Sequence, residues 1–257
     1  MFQHLSERRL GAPGSPSGPA RRRAPVPRTA PAAPIPWRQL RDAREAAIST
    51  DKAQSWAYCE DFHTEDDVLL RARERGAQLG CTPVSAGVGA VLSMLAAAVR
   101  ARAVVEIGTG AGVSGTYLLR GMAADAVLTT IDLEVEHQRA AKETFADDGV
   151  RPTRTRLIAG RALDVLPRLT DGGYDLVLVD ADPEGYPAYV DQAVRLLRPG
   201  GVLAVDDALW QDRVADPAKR DAVTTAIRDV GRRIRDDERL LPALLPTGDG
   251  LLTAVRR

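Results

Sequence analysis

From Trp37 onward, two hydrophobic periods take turns along the chain, and their alternation predicts its elements. Residues Trp37 to Tyr58 read as helical. Thr64-Glu-Asp-Asp67 resembles a capping box and predicts a helix running to about Leu79, where Gly80 stops it. After Pro83, Ser85 is placed to cap an apolar helix ending near Arg100. Short apolar runs then read as strands at 103–107, 126–132, 155–160, 174–180 and 202–207. Between and after them, Val113–Met122, Val135–Ala146, Tyr189–Leu197 and Pro217–Ile234 read as helices, with Gly149 and the RPGG at 198–201 as stop signals. YDLVLVD (174–180) is almost wholly apolar, as a strand buried on both faces should be. Two closing runs, Leu240–Leu245 and Leu251–Val255, are joined by TGDG, a hairpin-like turn.

Five strands alternating with helices imply a doubly wound α/β sheet. The closing pair has no helix between its strands, so the last strand is expected to run antiparallel. Residues 1–36 depart from this pattern. They are rich in Pro, Ala, Gly and Arg, and are expected to form a disordered tail ahead of one domain at 37–257. The tail holds six arginines and one glutamate, so the rest of a formally neutral chain is acidic. Overall neutrality, with 35 basic and 35 acidic residues, argues against a dedicated nucleic-acid binder. Two cysteines, Cys59 and Cys81, exclude a disulfide scaffold and a four-cysteine zinc site. They are expected to be small buried residues. His4, His63 and His137 show no metal-ligand spacing and are expected to be structural or solvated. The uncharged stretch from Gly76 to Val99 has an apolar part of only 12 residues, too short for a membrane span. No signal-peptide h-region is evident, and a soluble cytoplasmic protein is expected.

The candidate chemistry lies at strand ends. VVEIGTGAGVSG (104–115) follows the first strand, with Gly108, Gly110 and Gly112 spaced G-x-G-x-G. The dinucleotide fingerprint needs glycine where this chain has Val113, and Glu106 just before the loop would repel a pyrophosphate. A carboxylate there suits a cationic ligand, such as the amino group of a sulfonium amino acid. Asp132 ends the second strand, where a carboxylate can accept ribose hydroxyls. Asp180 ends the fourth strand and Asp206-Asp207 the fifth. Three converging carboxylates without an arginine repel one another unless a cation neutralises them, and oxygen ligands suit Mg²⁺, with Mn²⁺ or Ca²⁺ as alternatives.

VVEIGTGAGVSG, the strand-end Asp132, the GRA at 160–162, YDLVLVDAD, LRPGGVLAVDDALW and PTGDGLL together resemble the class I S-adenosylmethionine-dependent methyltransferases. More narrowly, they resemble the bacterial catechol and caffeoyl-CoA O-methyltransferases, over roughly residues 40–257. The resemblance implies a seven-stranded, mostly parallel sheet with an antiparallel last strand, a homodimer, and a small aromatic acceptor bearing adjacent hydroxyls. It places Glu106, Gly108, Thr109 and Ser114 on the methionine part of the cofactor and Asp132 on the ribose. Gly160 and Ala162 would border the adenine, the backbone of Val84 would close over the cofactor, and Asp180, Asp206 and Asp207 would bind the metal, with Asp180 also beside the cofactor. The family's usual Asp-Asn pair is Asp206-Asp207 here, and its frequent lysine base falls on Pro183. Asp182 and Glu184 are the nearby candidates to accept a proton, and Tyr186, Tyr189 and Trp210 are candidates to line an aromatic pocket. The expected activity is cation-dependent O-methylation. Three rivals stand beside it: a metal-independent methyltransferase of another acceptor, RNA included, a non-catalytic cofactor-binding protein, and a nicotinamide oxidoreductase disfavoured by Glu106 and Val113.

Overall fold

The computed structural model describes residues 51–257, so the tail expected at 1–36 and the start of the helix expected from Trp37 lie outside the described residues. Three helices come first: α1 (Asp51–Asp61), α2 (Asp67–Gln78) and α3 (Ala86–Ala98). Then follow β1 (Ala103–Ile107), α4 (Val113–Gly121), β2 (Val127–Asp132), α5 (Val135–Asp147), β3 (Thr155–Ala159) and the short α6 (Ala162–Val165). The chain continues through β4 (Tyr174–Val179), α7 (Tyr186–Leu196), β5 (Leu197–Val205), α8 (Ala222–Asp236), β6 (Leu240–Leu245) and β7 (Leu251–Arg256).

The seven strands form one sheet in the order β3-β2-β1-β4-β5-β7-β6. β1 to β5 run parallel, while β7 is antiparallel to both β5 and β6, as the helix-free closing pair implied. The order reverses at β1, whose neighbours are β2 and β4, and such a switch point opens a crevice beyond the carboxyl ends of the strands. The pleat sends alternate residues to opposite faces. Val104, Leu128, Leu176 and Leu178 pack with Leu92 and Leu118 on one face. Val105, Val177 and Val179 pack with Val190, Val194 and Ile227 on the other. Burial on both faces explains the continuous apolar reading of β4.

Element boundaries depart from the sequence pattern where a side chain or bulge intervenes. Asp66, not Thr64, caps α2, accepting from the backbone N–H of Leu69 at 3.1 Å. Ser85 caps α3 as expected. α7 starts three residues earlier than its periodicity suggests, after a single turn at Pro183–Gly185. RPGG ends a helix, but the chain enters β5 at Leu197 directly. The register irregularity between Tyr174 and Leu176 absorbs the Pro-Gly-Gly. α8 begins at Ala222 because Asp221 accepts from the backbone N–H of Thr224 at 3.0 Å, so Pro217 lies before it.

The segment between α1 and α3 is pinned to the domain by a partly buried ion pair. Arg73 donates to both oxygens of Glu65 (2.5 and 2.7 Å) and to the carbonyl of Val84 (2.9 Å), and the Tyr117 hydroxyl donates to Glu65 at 2.8 Å. Replacing Arg73 by Leu leaves the partly buried Glu65 carboxylate with the Tyr117 hydroxyl but without its cation. The expected loss is about 1–2 kcal/mol of unfolding free energy, read by urea titration.

Candidate active site

At the switch point lies a cleft of about 720 Å³, within the range of small-molecule sites. Its lining brings together Gly108, Thr109, Ser114, Asp132, Gly160, Ala162, Asp180 and Asp182 from four separate parts of the sequence. Tyr189 and Glu184 also line it, as do Cys81, Thr82 and Pro83 from the segment before α3.

The glycine loop earns its composition at Gly108. Its φ is +96°, and a Cβ there would lie 1.7 Å from the carbonyl oxygen of Asp180. Loop and β4 terminus are thus in backbone contact, reinforced by the Asp180 N–H donating to the carbonyl of Ile107 at 2.8 Å. Glu106 does not line the cleft. It is fully buried beneath the loop, where the Ser114 hydroxyl donates to its Oε1 at 2.8 Å. Its Oε2 is buried without a partner. Burial pushes the Glu106 carboxyl up to about 7, against the opposing hydrogen bonds from Thr130 and Ser114.

Asp132 faces four donors. Its Oδ2 accepts from the backbone N–H groups of Thr109 (2.9 Å) and Gly110 (3.0 Å). Its Oδ1 accepts from Glu134 N–H (2.9 Å) and lies 3.1 Å from His137 Nδ1. A ligand hydroxyl would have to share these oxygens or replace one donor. Val84 is absent from the lining: its side chain is buried in the core, and its carbonyl accepts from Arg73. Its neighbours Cys81 to Pro83 line the cleft instead.

Of the three candidate metal ligands, Asp180 lines the cleft, whereas Asp206 and Asp207 do not. Among the described residues, no three carboxylate, imidazole or thiol groups stand in a cation-binding arrangement. The trio is nevertheless electrostatically linked. Burial and then Asp206 and Asp207 hold the Asp180 carboxyl well above the usual carboxylate range. Burial and then Asp207 push Asp206 up to about 7, and Asp206 Oδ1 is buried without a hydrogen-bond partner. Asp207 holds a left-handed backbone (φ 53°), as do Trp210, Gln211 and Asp212 just beyond it. Such conformations cost energy in non-glycine residues and gather at functional sites.

Asp182 caps the turn at Pro183, accepting from Gly185 N–H at 3.0 Å and from the Tyr189 hydroxyl at 2.6 Å. Of the aromatic candidates, only Tyr189 reaches the cleft. Tyr186 is a core residue whose hydroxyl donates to the carbonyl of Asp206 (3.2 Å), and Trp210 is half-buried against the same apolar cluster.

Sequence reasoning passed over His137 and Cys81, which also line the cleft. Both had been read for metal spacing or disulfides, and their meeting across 56 positions is visible only in three dimensions. The one sequence signal was the place of His137 in the first turn of the helix that follows Asp132. Gln138 was also missed; it donates to Thr109 Oγ1 at 2.9 Å and steadies the loop from behind.

Comparison with known proteins settles the family. A model of the O-methyltransferase family matches residues 61–257. This chain belongs to the S-adenosylmethionine-dependent O-methyltransferase family. Its sequence is 56% identical over 200 residues to a Mycobacterium ulcerans protein that is itself named only provisionally as an O-methyltransferase, covering 78% of this chain and 89% of that one. Among solved structures, a Corynebacterium glutamicum protein superimposes with a TM-score of 0.75 at 37% identity, covering 80% of this chain and 97% of that one. The O-methyltransferase TomG of Streptomyces achromogenes, solved in complex with S-adenosylmethionine, gives a TM-score of 0.71 at 30% identity, covering 79% and 96% of the two chains. No described helix of this O-methyltransferase is long and apolar enough to cross a membrane.

Proposed function

We propose that this O-methyltransferase binds S-adenosylmethionine in the switch-point cleft and methylates a hydroxyl of a small aromatic, with a divalent cation at Asp180, Asp206 and Asp207. The observation that carries the reading is the convergence of the glycine loop, Asp132 and Asp180 on one cleft. S-adenosylmethionine supplies an electrophilic methyl group. Gly108 lets the loop backbone approach it, Ser114 and the carboxylate of Glu106 behind it provide a negative wall for its cationic methionine end, and Asp132 serves the ribose. The TomG structure, which holds S-adenosylmethionine, supports this choice of ligand.

The case for a cation rests on the donor set. The charges acting on the three carboxylates are those of acidic neighbours, and Asp206 keeps a buried, unbonded oxygen. A bound divalent ion would supply Lewis acidity towards the acceptor hydroxyl. Pro183 leaves no lysine beside Asp180, so the proton passes to Asp182, whose carboxylate the Tyr189 hydroxyl and Gly185 N–H hold at the cleft wall. Tyr189 presents the aromatic surface on that side.

Methyl transfer to a panel of catechols and single phenols, with Mg²⁺ and with EDTA, tests the reading. Turnover that EDTA removes and Mg²⁺ restores is expected. Turnover that EDTA leaves intact would favour the metal-independent alternative, with Asp182 as sole base. A separate result follows from Glu106. Its carboxyl lies near 7 in the free protein, and a cationic ligand favours the ionised form. Affinity for S-adenosylhomocysteine is therefore expected to rise between pH 6 and 7.5, and Glu106→Gln to flatten the profile, by calorimetric titration.

A further inference from the structure

Asp132 owes three of its four hydrogen bonds to backbone N–H groups, which any residue in the loop and turn would supply. The fourth partner is a side chain, His137, and so depends on the sequence at that position. A carboxylate only accepts, so the Nδ1 that faces it carries the hydrogen. The other ring nitrogen, Nε2, lies 3.4 Å from Cys81 Sγ. Burial, followed by the charge of Asp132, pushes the Cys81 thiol up, so the sulfur keeps its hydrogen. The contacts run without a break from Cys81 through His137 to Asp132. Cys81 is fixed in turn by its backbone N–H, which donates to the carbonyl of Gly76 at 2.9 Å. Both ring nitrogens are thus engaged, one by the ribose-side carboxylate and the other by the segment before α3 that lines the cleft.

We infer that His137 is a positioning residue for the cofactor: it sets the plane of the Asp132 carboxylate and ties Cys81 and its segment to the same edge of the cleft. The inference rests on the ribose role proposed for Asp132. It assigns His137 no contact with reacting atoms, so it concerns cofactor affinity and not the chemical step.

The test measures S-adenosylhomocysteine affinity by calorimetry for four variants, each checked for an unchanged melting curve. Asparagine places an amide N–H where His137 has Nδ1, whereas glutamine places one nearer Nε2. His137→Leu is expected to weaken binding about tenfold, on the scale of one charge-assisted hydrogen bond. His137→Gln should be as weak. His137→Asn should recover affinity to within about threefold of the parent. A general packing role would not separate asparagine from glutamine. Unchanged affinity in His137→Leu, or an asparagine variant as weak as leucine, overturns the inference. Asp132→Asn separates the two levels. If it binds as tightly as the parent, the ribose reading fails and the inference with it. If it binds weakly while His137→Leu does not, only the inference fails.

Discussion

Gly108→Ala is expected to abolish cofactor binding and to cost more stability than other single methyl additions in the protein. The added Cβ would sit 1.7 Å from the Asp180 carbonyl oxygen, and that obstacle is backbone, which cannot rotate away. The φ of +96° adds strain for any residue with a Cβ. The loop and the end of β4 must separate, and both line the cleft. A loss of about 3 kcal/mol in urea unfolding is expected, together with affinity for S-adenosylhomocysteine beyond calorimetric detection. Gly149→Ala is the natural contrast. That position also has positive φ (+71°), but a Cβ there meets nothing within 4 Å, so only the modest backbone strain should appear. A Gly108→Ala protein that binds normally would show that the loop and β4 are not in register as described.

Asp180→Ala is expected to lower turnover about a thousandfold while raising the stability of the metal-free protein. The two effects share a cause. Asp180 lies among the carboxylates of Asp206, Asp207, Glu106 and Asp132, and burial deprives Glu106 and Asp206 of the screening of water. Removing one carboxylate relieves the others, so the melting temperature in EDTA should rise by several degrees. The carboxylate removed is the one that lines the cleft, so chemistry is lost while the fold gains. The loss corresponds to about 4 kcal/mol of transition-state stabilisation. Activity that survives, or a melting temperature that falls, would remove Asp180 from the proposed site.

The fold was legible because its strands are buried on both faces. β1, β2, β4 and β5 read as apolar runs, and the absence of a helix before β7 told its direction. The exceptions have local causes. A cap residue such as Asp66 or Asp221 moves a helix start, and a bulge lets Pro199 and Gly200 enter a strand. The meeting of Gly108, Asp132 and Asp180 in one cleft was legible for a similar reason: in a doubly wound sheet, strand ends border the switch-point crevice. Residues that reach the cleft from elsewhere were not. Cys81 arrives from the segment before α3, and His137 reaches it through the pitch of a helix. Tyr186 shows the converse error. It carries an aromatic ring in the right sequence neighbourhood, but helix phase turns it into the core, while Tyr189, one turn on, faces the cleft.

The position of β7 bears on how the protein is made. It follows every other strand in the chain, yet it is interior to the sheet, with β5 on one side and β6 on the other. During synthesis β6 is made before its partner strand, and β5 keeps one open edge until residues 251–256 appear. Leu241 and Leu244 of β6 are half exposed even in the finished fold. At about 5–20 residues per second, the stretch from Val205 to Leu251 keeps the β5 edge open for several seconds. Throughout that time the nascent chain carries an unsatisfied apolar edge, a template for pairing with a neighbouring polypeptide. Yield in the cell should thus depend on how soon residues 251–256 reach β5 and on holdase capacity, more than on the stability of the completed domain.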